Sequence, residues 1–104
     1  MKTWEVKDVN DPRIAVEPVP VRKGQYVSIS YKGLLVNSGA DNVWLHYGFD
    51  NWRNVGTTAM AWQPDGSCRA SILVQGDREV DFCFKDSANN WDNNSGMNWK
   101  IDIL

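Results

Sequence analysis

Apolar and polar residues alternate with a period of two along most of this chain, and no window shows convincing helical periodicity. The cleanest case runs from Gln25 to Lys32, where Val27, Ile29 and Tyr31 lie on one side and Tyr26, Ser28, Ser30 and Lys32 on the other. That is the pattern of a half-buried strand. A second strand is predicted over Val43 to Gly48, with Val43, Leu45 and Tyr47 alternating with Trp44, His46 and Gly48. Thr57 to Gln63, with Met60 and Trp62 in phase, and Cys68 to Gln75, with Ile72 and Val74 inward, read as a hairpin closed by Pro64-Asp65-Gly66. In that turn Pro presets φ and Gly accepts a positive φ. Glu79 to Lys85 gives a core stripe of Val80, Phe82 and Phe84, with Asp81 on the solvent face; Trp99, Ile101 and Ile103 are in phase in the last strand.

Between these strands lie the connections. Residues 1–24 are expected to be an irregular or edge-strand lead-in, because Pro12, Pro18 and Pro20 remove ladder donors, with Trp4, Val6 and Val9 covering an open end of the core. Gly33 to Asn42 reads as a short apolar run followed by a turn, Phe49 to Gly56 as a loop, and Asp86 to Asn98 as a long polar loop. The fold class is all-β, an antiparallel β-sandwich of about seven to eight short strands in a single domain spanning 1–104.

Composition narrows the function. Six Trp in 104 residues exceed what one small core needs, and Trp is rarely buried completely. Where an indole stands beside short amide and acid side chains it suits a pyranose, whose C–H face lies against the ring and whose hydroxyls meet polar groups at the edge. Two stretches combine these features, VWLHYGFDNW at Val43–Trp52 and FKDSANNWDNNSGMNW at Phe84–Trp99. If the aliphatic residues of the second strand face the core, Trp44 and His46 face outward about 6 to 7 Å apart. The alternative exchanges Trp44 and Tyr47 across the sheet. Trp52, a large aromatic in a polar loop, is a second platform. The reading is a sugar-binding sandwich; the competing reading is a protein-interaction module whose exposed Trp residues serve as hot spots and which ignores soluble maltose.

Other chemistries find little support. The net charge of −2 and the lack of a basic stripe give nucleic acid and anionic membrane no electrostatic foothold. No apolar run reaches membrane-spanning length and no leader is apparent, which implies a cytoplasmic protein if Met1 is the native start and an extracellular one if the chain is excised from a secreted enzyme. Cys68 and Cys83 fall on faces that argue for two free thiols, and lone His46 has no companion ligands for zinc. Asp86–Asn90 and Asp92–Gly96 are oxygen-rich but lack calcium-loop spacing, and no cofactor is expected. Asp81, Asp86 and Asp92 are carboxylates without the cleft a glycosidase needs, so no catalytic residue is assigned.

The order LHYGFDNW, Met60, Asp65-Gly66, VDFCFKD and WDNNSGMNW resembles the starch-binding modules of carbohydrate-binding module family 25 and the related plant family 53, over roughly Gln25 to Ile103. The resemblance implies an immunoglobulin-like β-sandwich that binds starch, glycogen and malto-oligosaccharides without catalysis, often attached to a glucan-active enzyme. It also implies that His46, Trp52 and Trp91 form the sugar-contacting surface, the two indoles stacking on consecutive glucose units. Asn93 and Asn94 beside Trp91 are expected either to bond sugar or to hold the loop, and Asp50, Asn51 and Asp92 are further rim candidates. Two positions depart from the family pattern: Cys68 stands where an aromatic is usual and Ser87 where a Gly is usual. Neither is a stacking position.

Overall fold

The computed structural model describes residues 11–104. Nine strands and one helical turn make up this part: β1 (Ile14–Glu17), β2 (Tyr26–Tyr31), α1 (Leu34–Asn37), β3 (Val43–Phe49), β4 (Arg53–Ala59), β5 (Ala61–Trp62), β6 (Cys68–Leu73), β7 (Glu79–Asp86), β8 (Trp91–Asp92) and β9 (Trp99–Asp102). One sheet has the order β1-β2-β6-β5. The other is β4-β3-β7, with β8 and β9 sharing the far edge of β7. All of these pairings are antiparallel, and the two sheets form a sandwich.

Alternation builds the core as expected. Val27, Ile29 and Tyr31 from β2 and Cys68, Ala70 and Ile72 from β6 face Val43 and Leu45 from β3, Val80, Phe82 and Phe84 from β7, and Trp99 and Ile101 from β9. Its centre is aromatic: Tyr31 stacks on Phe84 with ring centroids 4.0 Å apart, and Trp99 stacks on Phe82 at 6.3 Å. Cys68 joins this interior, Cys83 lies on the opposite side of β7, and both are free. Burial pushes each thiol up to about 11, so little thiolate forms near neutral pH.

Several boundaries differ from the sequence reading. Of the lead-in, residues 1–10, with Trp4, Val6 and Val9, lie outside the described residues; Ile14–Glu17 is an edge strand, and Val21 makes an isolated parallel bridge to Ile103. Leu34–Asn37 forms one turn of helix, so the short apolar run is not extended. The strand expected over Thr57–Gln63 is broken at Met60, which is buried and donates its N–H to the Val43 carbonyl at 2.9 Å. There the chain leaves one sheet for the other, so Met60 and Trp62 do not share a face; Trp62 is 43% exposed. Phe49 belongs to β3 and is fully buried, which shortens the expected loop to Asp50, Asn51 and Trp52. Asp81, expected at the solvent face, is 0% exposed because the Trp52 turn folds over it.

Candidate functional site

The outer face of the β4-β3-β7 sheet gathers the residues that sequence reasoning selected. Register sets His46 opposite Thr57 on β4 and Cys83 on β7, Trp44 opposite Ala59 and Lys85, and Lys85 opposite Trp91 on β8. Because Val43 and Leu45 point inward, Trp44 and His46 point outward, and the alternative in which Trp44 and Tyr47 exchange places does not hold. The His46 ring lies between two indoles, 5.6 Å from Trp52 at an interplanar angle of 24° and 5.4 Å from Trp91 at 82°. Subtracting these angles, the planes of Trp52 and Trp91 are inclined by at least 58°. Trp91 is 46% exposed, and Trp52 and His46 are half-buried. At one end of this row the Lys85 ammonium sits 4.9 Å from the Trp44 ring centroid and 6.0 Å from that of Trp91, within cation–π range.

His46 is fixed by a hydrogen bond of 2.8 Å between its Nδ1 and Thr57 Oγ1. Burial, then the charge of Lys85, lowers its pKa, which keeps the imidazole neutral at neutral pH. A neutral imidazole has one donor and one acceptor; with Nδ1 engaged, Nε2 is the nitrogen left for a ligand.

Trp52 is presented by an unusual turn. Asp50, Asn51 and Trp52 have φ of 49°, 69° and 65°, left-handed values that side chains rarely adopt and that need compensation. Two carboxylates supply it. Asp81 Oδ2 accepts the backbone N–H of Asn51 and of Trp52, both at 3.0 Å. Asp50 accepts the backbone N–H groups of Asp77, Arg78 and Glu79, which hold its pKa low, and its own N–H donates to the Glu79 carbonyl at 3.0 Å. Asp50 is therefore a clamp of the turn, and its carboxylate is not a rim group. The register shift between Tyr47 and Phe49 falls at Gly48, over which Trp52 lies. A Cβ at Gly48 would come within 2.9 Å of Trp52 Cα and 3.1 Å of Trp52 Cε3. Gly48→Ala is accordingly expected to displace Trp52 and weaken ligand binding severalfold with the β-sheet circular dichroism retained; isothermal titration of the variant checks this.

Trp91 stands on the two-residue strand β8, whose approach is fixed by Asp86. That carboxylate accepts the N–H of Ala88 at 3.0 Å and of Asn90 at 2.8 Å, and the Asn90 side-chain amide at 3.0 Å. Asp92, also read as a rim residue, is only 5% exposed: it points inward, accepts from Tyr31 Oη, and receives the Asn94 N–H at 3.3 Å. Asn94 holds the loop as well, accepting from Arg13 Nη2 at 3.0 Å and donating to the Asn98 carbonyl at 3.1 Å. Asn93 is exposed; its Oδ1 accepts the Gly96 N–H at 2.9 Å. Asn51 is exposed too, with its backbone N–H committed to Asp81.

So His46, Trp52 and Trp91 come together, with Trp44 alongside and Asn51 and Asn93 exposed on the flanking turns, whereas Asp50, Asp92 and Asn94 serve the backbone. Sequence reading missed Lys85, Thr57 and the buried role of Asp81. Alternation alone placed Lys85 opposite the core stripe, but only strand register shows that it meets Trp44 and Trp91.

The starch/carbohydrate-binding module (family 53) model matches residues 27–82. The chain belongs to that family. The matched model is that of family 53, the second of the two related families named by the resemblance. This module's matched region includes Trp44, His46 and Trp52 and ends before Trp91. An alpha-amylase of Clostridium acetobutylicum is 34% identical over 102 residues, which cover 97% of this chain and 13% of that protein. The module therefore spans about an eighth of the curated relative it matches. No solved structure matches it. A concavity of about 500 Å³ lies away from the aromatic row, between β1 and the β5–β6 hairpin. Its charged residues are engaged with their neighbours, Arg13 with Asp11, Lys32 with the Asp65 carbonyl and Arg69 with Glu17, and its one aromatic residue, Tyr31, is fully buried.

Proposed function

We propose that this starch-binding module holds α-1,4-glucans (starch, glycogen and malto-oligosaccharides) across the row Trp52–His46–Trp91, without acting on them chemically. The observation that carries the reading is the inclination of at least 58° between the two indole planes on either side of His46. An α-1,4 chain bends from one glucose to the next, so consecutive sugar faces meet inclined rings; a straight β-1,4 chain suits a flat row. His46 Nε2, the exposed side chains of Asn51 and Asn93, and the Lys85 ammonium supply hydrogen bonds to the hydroxyl rim, and Trp44 extends the apolar surface.

Magnitudes favour a weak, reversible site. Each stacked indole contributes about 2 kcal/mol, the hot-spot scale. Association and side-chain ordering offset part of this, leaving a net affinity of roughly −8 to −4 kcal/mol, micromolar to millimolar. Repeated sites on granular starch add avidity. Binding without catalysis accords with the three nearby acids, since Asp81, Asp86 and Asp92 are all buried and each accepts hydrogen bonds from the protein's own N–H or O–H groups through at least one oxygen. The similarity to an alpha-amylase supports a role beside a glucan-active enzyme.

The test is a titration with maltoheptaose followed by intrinsic Trp fluorescence, with a cello-oligosaccharide as control. The expected result is a saturable change with the α-glucan alone. No change with either sugar would overturn the reading in favour of a protein-interaction surface, and equal binding of both would remove the argument from ring inclination.

A further inference from the structure

Asp81 is the most deeply buried acid of the site, and one of its oxygens lacks a partner among the described residues. The side chain is fully buried, Oδ2 takes both N–H groups of the Trp52 turn, and Oδ1 has no hydrogen-bond partner among the described residues. A buried carboxylate is tolerated only where charge and lone pairs are met. No cation does so here: among the described residues no Lys, Arg or His nitrogen lies within 4.0 Å of Asp81, and its cross-strand partner Lys100 directs its ammonium to Glu79 Oε2, 4.0 Å away. Glu79 is two residues back on β7, on the same face of the strand.

We propose that Asp81 is a positioning residue for Trp52, and that it acts through one proton held between its unpartnered Oδ1 and the Glu79 carboxyl group. The inference rests on the glucan-binding reading for its functional consequence, since Trp52 is one of the two stacking indoles. With the proton in place Glu79 donates to Oδ1, both carboxylate oxygens of Asp81 have a partner, and the left-handed Asn51–Trp52 turn is held down. Glu79's pKa is raised in the same sense, first by the hydrogen bond to the Asp81 side chain, then by burial and by Asp81's charge, with Lys100 and the Asn51 N–H opposing. The other groups around the pair do not compete for this proton. Asp102, opposite Glu79 on β9, is exposed, Asp50 is saturated by the amides of residues 77–79, and β3 contributes only Gly48 and Phe49 here.

The sign follows from the raised pKa. The proton is held below the ordinary glutamate range and lost as pH rises through Glu79's raised value, so the support of Trp52, and with it glucan affinity, declines with rising pH. His46 titrates over part of the same interval, which is why the variant and not the wild-type profile alone decides.

The experiment is calorimetric titration of the whole chain with maltoheptaose from about pH 4.5 to 8, spanning the Glu and His ranges, for wild type, Glu79→Gln and Asp81→Asn. A glutamine at 79 donates to Oδ1 at every pH, so Glu79→Gln is expected to keep the low-pH affinity throughout while wild type weakens severalfold. Asp81→Asn keeps one amide oxygen for the two turn N–H groups and can donate its amide N–H to the Glu79 carboxylate, so it too is expected to lose the pH dependence of affinity. Should Asp81→Asn fail to fold, the wild-type and Glu79→Gln comparison still decides. A wild-type profile that is flat, or a Glu79→Gln profile that tracks wild type, overturns the proposal. Carbon-13 NMR titration of the two carboxyl groups needs no glucan: Glu79 titrating above its ordinary range in wild type and reverting in Asp81→Asn supports the shared proton, and an ordinary Glu79 overturns it even if maltoheptaose binds. Absence of maltoheptaose binding at any pH, with Glu79 still raised, instead removes the glucan reading and with it Asp81's role in binding.

Discussion

Trp91→Ala is expected to lower the affinity for maltoheptaose by about 30-fold, or about 2 kcal/mol, while leaving the fold intact. The side chain is 46% exposed on the outer face of β8 and, among the described residues, its aromatic and charged contacts are with the His46 ring and the Lys85 ammonium. Truncating such a group changes stability by about 0.5 kcal/mol or less. Its backbone position survives the change, because β8 is held by its pairing with β7 and by Asp92 beneath. Trp52→Ala is expected to lose affinity to a similar extent with a somewhat larger stability cost, since that indole lies on Gly48 and against His46. Calorimetric binding and a thermal melt on each variant measure both quantities. Unchanged affinity after either substitution would remove that indole from the site, and a collapse of the melt would show it to be core.

Phe82→Ala is expected to do the reverse. Phe82 is fully buried at the centre of the sandwich, stacked on Trp99 at 6.3 Å and set edge-on to Phe84 at 6.0 Å. Removing a buried Phe side chain costs about 3 to 5 kcal/mol, a large part of the 5 to 15 kcal/mol typical of a domain. For a chain of this size the melting temperature should fall by roughly 12 °C or more. Binding measured well below that midpoint should be unaffected, because Phe82 faces away from the aromatic row. Tyr31→Ala, by contrast, should damage both properties: Tyr31 stacks on Phe84, but its Oη also donates to Asp92, next to Trp91, and accepts the Leu35 N–H at 3.1 Å. A Phe82→Ala variant that melts like wild type would contradict the packing account.

Much of this architecture was readable from alternation, because wherever one face of a strand is buried its apolar positions repeat every second residue. That rule located β2, β3, β7 and β9 and assigned Trp44 and His46 outward. It failed where the cause is non-local. Met60 is buried because the chain crosses between sheets there, and nothing in the local pattern distinguishes a crossing from a continuing strand. Asp81 has the phase of an outward residue and is buried by a turn that reaches it from β3–β4.

The site divides in the same way. His46 and Trp52 were legible from strand phase and loop composition, and Trp91 from the family pattern. Asp50, Asp92 and Asn94 were read as rim groups because short polar side chains beside a Trp look available for sugar. The same side chains are the ones that satisfy backbone N–H groups in tight turns, and three left-handed residues at 50–52 create that demand. Lys85 went unseen because its meeting with Trp44 and Trp91 depends on register across three strands.

The central claim, that an α-glucan lies across Trp52, His46 and Trp91, is tested most directly by following the indole N–H resonances during titration with maltoheptaose. The account predicts that the Trp52 and Trp91 signals shift together and saturate with one affinity, while buried Trp99 and the indole of Trp62, which stands on β5 of the other sheet and donates to the Asp41 carbonyl, stay in place. Saturating shifts confined to Trp62, or none at Trp52 and Trp91, would contradict it.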